Sequence, residues 1–285
     1  MVKQKLLLVD GSSLAFRAFF SILDLNRFKN SNGLHTNALY SFHRMFKSIL
    51  DSEKPTHVLV AWDAGKTTFR TEMYADYKGG RSKTPGEFIE QMPYFNVLLD
   101  AWGIPHYRLN QYEADDIIGT LARKGEEAGY EVVVLSGDKD LIQLADNNIT
   151  VKITTKGVTE LVEYTPEVIF EKYGLTPEQI IDMKGLMGDS SDNYPGVTKV
   201  GEKTAVKLLQ EFGSVEGIYE HVDEMKKSKL KENLMKDKEL AFLSKKLARI
   251  NVKSPIEITL EDTLRKEQDV DALMSFYKEM NFNSF

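Results

Sequence analysis

The chain of 285 residues has no cysteine. That excludes disulfides, thiolate metal centres, iron–sulfur clusters and a thiol nucleophile, and it fits a reducing, cytoplasmic compartment. Long apolar runs are lacking too, and none approaches the ~18 residues that cross a bilayer. The apolar stretch after Met1-Val2-Lys3-Gln4-Lys5 stops at Asp10, short of the roughly 7–15 residues of a secretory h-region, so it reads as a first strand. The five histidines (His35, His43, His57, His106, His221) sit at no metal-ligand spacing and read as surface or packing residues. No G-x-S-x-G is present, and Asp10-Gly11-Ser12-Ser13 follows the first strand where a dinucleotide fold would have G-x-G-x-x-G. Serine-hydrolase and dinucleotide chemistry are therefore unsupported. Positive charge is short as well: the net charge is −6, which taken alone argues against a nucleic-acid partner.

What is present is an ordinary globular composition, 42% hydrophobic and 28% charged, long enough for one large domain or two small ones. Lys5–Val9, His57–Trp62 and Glu131–Leu135 are apolar runs that read as buried parallel strands. Ile104–Leu109 and Val151–Thr154 are further strand candidates. Asn37–Leu50, opened by Thr36 or Asn37, and Ala114–Glu127 carry helical spacing. The alternation predicts an α/β fold over 1–175, a mostly parallel central sheet flanked by helices. Residues 66–93 are polar, with no strand signal, and read as a mobile excursion. From 176 to 285 helices dominate: Pro177–Met187, Glu202–Phe212, Val215–His221, Lys236–Arg249 and Val270–Glu279. That part reads as a helical subdomain.

Acids fall where the strands end. The first strand ends at Asp10, the second at Asp63, and the third at Asp138 with Asp140 beyond it. In an open parallel sheet these ends share one edge, where ligands bind. Glu113, Asp115 and Asp116 open a helix, and Asp189 and Asp192 lie in a Gly-Asp-Ser-Ser-Asp loop. Any one of them alone is explained as a cap or a turn residue. Together they repel: a like-charge pair at ~4 Å costs about 4 kcal/mol at an effective dielectric of about 20. Bound divalent cations relieve this more completely than protonation, and an all-oxygen donor set points to Mg2+ or Mn2+.

Bases are concentrated elsewhere. Lys66–Lys83 holds five bases against two acids, with Phe69, Tyr74 and Tyr77 interleaved, a pattern that suits single-stranded nucleic acid. Pro195-Gly196-Val197-Thr198-Lys199-Val200-Gly201-Glu202-Lys203 is a glycine-containing loop that runs into a helix, suited to gripping a phosphate backbone. The acids of one pocket account for the negative total.

These motifs, in this order, resemble the 5′ nuclease domains found at the N-terminus of bacterial DNA polymerases I, in the flap endonuclease superfamily. The likeness runs through Leu8–Ser13, Ala64–Arg70, Tyr74–Arg81, Tyr112–Asp116, Ser136–Leu141 and Gly188–Val197. It departs at Trp62 and Tyr194, which stand where other apolar residues are expected and carry no chemistry in that reading. The resemblance implies a PIN-like 5′ nuclease fold with a C-terminal helix-hairpin-helix-type DNA-binding subdomain. It implies two-metal hydrolysis of DNA and RNA-primer phosphodiesters at 5′ ends, flaps and nicks, in replication and repair. One ion falls to Asp10, Asp63, Glu113 and Asp115. The other falls to Asp138, Asp140 and Asp192, with Asp116 and Asp189 acting through water. Arg70, Lys78 and Arg81 would belong to a mobile arch and serve the scissile phosphate or the 5′ strand, with Tyr77 on the DNA. Gly196, Val197, Lys199, Gly201 and Lys203 would hold duplex, in a loop that in relatives also takes K+. The chain would be a monomeric, cytoplasmic and nucleoid-associated protein, either a fragment of such a polymerase, which the likeness favours, or a free-standing relative.

Two rivals are weaker. A haloacid-dehalogenase-type phosphatase needs a second Asp where this chain has Ser12. A pure DNA-binding module gains nothing from acids placed beside phosphate.

Overall fold

A computed structural model describes residues 3–155 and 160–285. Six strands form one sheet: β1 (Lys5–Asp10), β2 (His57–Trp62), β3 (His106–Arg108), β4 (Glu131–Ser136), β5 (Ile149–Thr155) and β6 (Glu160–Tyr164), in the order β3-β2-β1-β4-β5-β6. Every pairing is parallel except β5 with β6. The helices are α1 (Gly11–Ser21), α2 (Asn37–Glu53), α3 (Phe69–Met73), α4 (Gly86–Ile89), α5 (Met92–Trp102), α6 (Ala114–Glu127), α7 (Pro166–Tyr173), α8 (Pro177–Met187), α9 (Glu202–Phe212), α10 (Val215–His221), α11 (Lys229–Lys236), α12 (Lys238–Ala248) and α13 (Val270–Met280). The mostly parallel α/β architecture with a helical C-terminal part agrees with the expectation.

The central strands alternate between two apolar layers. Leu6 and Leu8 of β1 face α6 and the helices beyond residue 175, whereas Leu7 and Val9 face α1, α2 and α5. Both faces are covered, which is why the strands read as continuous apolar runs. Gly11 lets α1 start hard against β2: a Cβ there would lie 2.7 Å from Val60 Cγ1. Asp10 ends β1 and also caps α1, accepting from the Ser13 N–H at 3.1 Å. β1, β2 and β4 are in register, with Asp10 opposite Ala61 and Val9 opposite Leu135. Their C-terminal ends therefore open onto one edge.

Two expectations are corrected. Residues 66–93 leave the sheet as expected, but they pack: Arg70, Tyr77 and Phe88 are buried. The helix expected over Lys236–Arg249 is found as α12, and Asp237, whose carboxylate turns to Thr198, separates it from the preceding α11. The C-terminal segment does not stay with the helical part. It crosses to the α/β layer, where the backbone of Leu264 bridges His57 and the N–H groups of Lys266 and Asp269 bond Gly103 and Ala101 at 2.9 and 2.8 Å. Phe276, Met280 and Phe282 then fill the layer around Phe42 and Phe95. Polar residues between the apolar ones hide this return from a composition reading. His43 lies in the same layer, stacked on Trp102 at 4.5 Å and bonded to the Tyr277 hydroxyl at 2.7 Å. It is a packing residue.

Candidate metal centre and nucleic-acid interface

Asp138 lies two residues beyond β4. It caps a 3-10 helix, Lys139–Leu144, by accepting from the Asp140 N–H at 2.9 Å. That turn brings both carboxylates to the loop after α8, where Asp192 lies. Ligand oxygens of Asp138, Asp140 and Asp192 come within 4.8 Å of one another, a spacing one small cation could bridge. Asp140 Oδ1 is buried, and the Lys184 ammonium lies 3.2 Å from it. An all-carboxylate set of this spacing suits a hard divalent cation.

The other expected acids surround the same cleft, each with its own partners. Asp10 accepts from the Ser136 hydroxyl at 2.8 Å, and Asp63 accepts from the Ala114 N–H at 2.7 Å. Glu113 is engaged by Lys78, by Arg70 and by the Tyr77 hydroxyl. Asp115 feels the charges of Asp10, Asp138 and Glu113. These four do not draw together as closely as the triad does.

Four placements differ from the expectation. Arg70 is interior, at 2% exposure. Its five N–H donors are all committed, to Glu113, to both oxygens of Asp116 at 2.8 Å, and to the carbonyls of Leu247 and Arg249 at 3.0 and 2.8 Å. It cannot also reach a phosphate, so it is a positioning residue that ties α3, α6 and the end of α12 together. Asp116 is fully buried and accepts from the N–H groups of Glu113 and Asn251 and from two N–H groups of Arg70, two bonds to each oxygen, so its acceptor positions are taken. Tyr77 is 6% exposed, its ring stacked on Tyr194 at 6.3 Å, so it is a floor residue with no face open to a base. Asp189 accepts from Lys184 at 2.8 Å and from the Ser191 and Asp192 N–H groups, organising the loop that delivers Asp192.

The sequence reading missed Lys184, whose ammonium lies 3.2 Å from Asp140 and 2.8 Å from Asp189. Its signal was its place in the last turn of α8, next to the acidic loop. Lys78 and Arg81 roof the cleft. Lys78 adopts the left-handed backbone region (φ 57°) while its N–H bonds the Asp192 carbonyl at 2.7 Å, a strained geometry typical of functional positions. Arg81 reaches Asp192 at 2.5 Å.

Burial, reinforced by the charge of Asp63, pushes Asp10 up to about 7. Burial and then Asp138 push Asp140 up to about 8 despite Lys184. Burial also raises Asp115, Asp63 and Asp138. Glu113 goes the other way: burial opposes its charge, but Lys78 and Arg70 outweigh it and lower the pKa. Without cations, the folded chain therefore keeps protons on Asp10 and Asp140 that the unfolded chain has released. Their contribution to stability is lost as pH rises through about 7 and 8. His43 acts in the opposite sense: burial and then Lys47 hold it near 4, so its penalty grows only as pH falls below about 6.5. In EDTA, stability is expected to fall by on the order of 2 kcal/mol between about pH 6.5 and 8 and then level off. A divalent cation should flatten that slope, because it favours the ionised carboxylates. Thermal melts across this range test it, and a melting temperature that climbs with pH in EDTA would contradict the clustering.

The second basic element begins after α8. Gly196 is left-handed (φ +61°) and a Cβ there would lie 2.7 Å from the Leu186 carbonyl. The N–H groups of Gly196, Val197 and Thr198 are committed to Ser244, Leu186 and Asp237, and Val197 is a core side chain. Gly196 and Val197 thus shape the loop and do not face outward. The surface it offers is exposed Lys199, Gly201 and Lys203, with the N–H groups of the first turn of α9, which find no intrahelical partner.

Comparison with known proteins follows this geometry. Residues 5–174 match the 5′–3′ exonuclease N-terminal resolvase-like domain, and residues 175–271 match the 5′–3′ exonuclease C-terminal SAM fold. DNA polymerase I of Lactococcus lactis is 61% identical over 99% of the chain, and that of Bacillus subtilis is 55% identical over 99%. The chain spans about a third of those polymerases, 33% and 32% of their lengths. Among solved structures, T5 5′-exonuclease with bound zinc aligns with a TM-score of 0.70 at 26% identity, covering 98% of each chain. The catalytic core of Rad2 with DNA substrate aligns at 0.65 and 17% identity over 98% of this chain and 88% of that one, a likeness of fold. The match of both family models over residues 5–271, with an acidic triad drawn from the turn after β4 and the loop after α8, shows that the chain belongs to the 5′–3′ exonuclease family.

Proposed function

We propose that this chain is a structure-specific 5′ nuclease. It hydrolyses DNA and RNA-primer phosphodiesters at 5′ ends, flaps and nicks with two Mg2+ or Mn2+ ions. The observation that carries the reading is the gathering of Asp138, Asp140 and Asp192 within 4.8 Å of one another, with Lys78 and Arg81 bonded to the same loop or to Glu113. Asp138, Asp140 and Asp192 would hold one ion, and Asp10, Asp63, Glu113 and Asp115 the other. Bound there, the ions supply an activated water and charge stabilisation for the departing 3′ oxygen. The chain's own residues do the rest. Arg70 and Asp116 fix the start of α6, and Asp189 and Lys184 fix the 189–192 loop. Lys78 and Arg81, now paired with Glu113 and Asp192, would turn to the phosphoryl oxygens once cations take those carboxylates. The loop and first turn of α9 would grip duplex backbone without reading sequence, and a K+ ion in the Gly196–Lys203 loop belongs to the same reading. A setting in replication and repair, polymerase domains in the same polypeptide, a monomeric state and a cytoplasmic location complete it.

A labelled 5′-flap duplex should be cut in Mg2+ and stay whole in EDTA; an uncut flap in both Mg2+ and Mn2+ would end the proposal. The double variant Lys199→Ala, Lys203→Ala should weaken duplex binding about equally across sequences. It should also flatten the plot of log affinity against log salt by roughly 1 per lysine. An unchanged salt slope in a binding titration would move the duplex elsewhere.

A further inference from the structure

One hydroxyl stands between the two groups of acids. Val9 of β1 pairs with Leu135 of β4, so Asp10 and Ser136 follow side by side at the strand ends. Ser136 is fully buried. Its hydroxyl donates to Asp10 Oδ2 at 2.8 Å and accepts from the Asp138 N–H at 3.0 Å. The Ser13 hydroxyl lies 3.3 Å from it. A serine hydroxyl has one proton and two acceptor positions, so this set of partners uses all of it and directs the proton to Asp10. Asp10 Oδ1 in turn accepts from the Ser13 N–H at 3.1 Å. Each oxygen of that carboxylate is thus held by one bond and keeps a second acceptor position for a cation. Beyond β4 the turn continues with the Gly137 N–H on Ser13 Oγ at 3.0 Å and the Asp140 N–H on Asp138. A strand end that needed only its backbone satisfied would require the bond to Asp138 and nothing at Asp10. Here both meet on one oxygen, and the two aspartates are assigned above to different ions.

We propose that Ser136 is a positioning residue shared by the two ion sites: its hydroxyl aims the Asp10 carboxylate and anchors the turn that presents Asp138, so a single atom sets the two sites relative to each other. The inference rests on the metal-dependent reading above and deepens it. Losing a hydrogen-bond partner behind a metal ligand typically costs 10–100-fold in metal affinity. A partner of one ligand should affect one ion, whereas this hydroxyl should affect both.

The test is Mn2+ binding to the full chain without DNA, read by electron paramagnetic resonance of the free ion, for the wild type, Ser136→Ala, Ser136→Thr, Asp10→Ala and Asp138→Ala. The two aspartate variants identify the sites, each losing a different one. Ser136→Ala should bind both ions about tenfold more weakly, and Ser136→Thr, which keeps the oxygen, should recover most of the loss at both. Thermal melts in EDTA check that each variant folds; if Ser136→Ala does not, Ser136→Thr against the wild type carries the test. If Ser136→Ala binds either ion within about twofold of wild type, or a folded Ser136→Thr is as weak as Ser136→Ala, the shared role of Ser136 is wrong and the metal centre stands. If the wild type holds fewer than two ions, or both aspartate variants bind as it does, the two-ion reading falls, and this proposal falls with it.

Discussion

Asp138→Ala is expected to lower single-turnover cleavage of a 5′-flap duplex in Mg2+ by ~10³-fold or more, while binding of the same duplex in EDTA changes little. The magnitude follows from the chemistry assigned to the ions. Charge stabilisation by a metal at the reacting phosphate is worth several kcal/mol, and each 1.36 kcal/mol off the barrier is tenfold in rate. Asp138 is the ligand with two jobs. It contributes to the only group of carboxylates among the described residues drawn within 4.8 Å, and it caps the 3-10 turn that carries Asp140. Replacing it removes one oxygen donor and loosens the second. The proposed duplex grip lies on a different element, at the start of α9, so affinity should survive. Cleavage at the wild-type rate would show that the ions, if bound, are held by other acids.

Arg70→Ala is expected to cost about 3–5 kcal/mol of stability, the range for stripping one partner from a buried ion pair. Asp116 is completely buried and Glu113 nearly so, and both would be left facing carbonyl oxygens that had accepted from the guanidinium. Arg70→Lys should recover only part of the loss, because an ammonium cannot form the two parallel bonds to Asp116 or reach Leu247 and Arg249 at once. Urea denaturation at neutral pH measures this directly. A midpoint within error of wild type for Arg70→Ala would show that the residue sits outside the core and could serve the substrate after all. The variant should also be a poor nuclease, since Glu113 and the first turn of α6 lose their anchor.

Much of the architecture was legible because its signals are local. β2, α6 and α8 fall where apolar period, capping residues and glycine stops put them. The acids after β1, β2 and β4 could be assigned to one edge because parallel register forces strand ends together. α1 was missed because it follows β1 with no intervening turn, and β6 because a short antiparallel edge strand of mixed polarity carries little period. Arg70 and Tyr77 were misplaced for a physical reason: cations and aromatics suit nucleic acid on the surface and buried acids in the interior, and their sequence pattern is the same in both settings.

The chain by itself determined the fold class, the family and the inventory of carboxylates, since each depends on residue type and spacing along the backbone. Which carboxylates lie within reach of one cation was decided only by tertiary structure, as was which bases face the cleft or lock into its floor. So was the return of residues 264–282 to the sheet. Those outcomes depend on contacts between groups more than a hundred residues apart, such as Arg70 with Leu247 or Tyr77 with Tyr194. Burial at such contacts, absent from any local pattern, sets whether a charge is solvated, paired or available to a ligand.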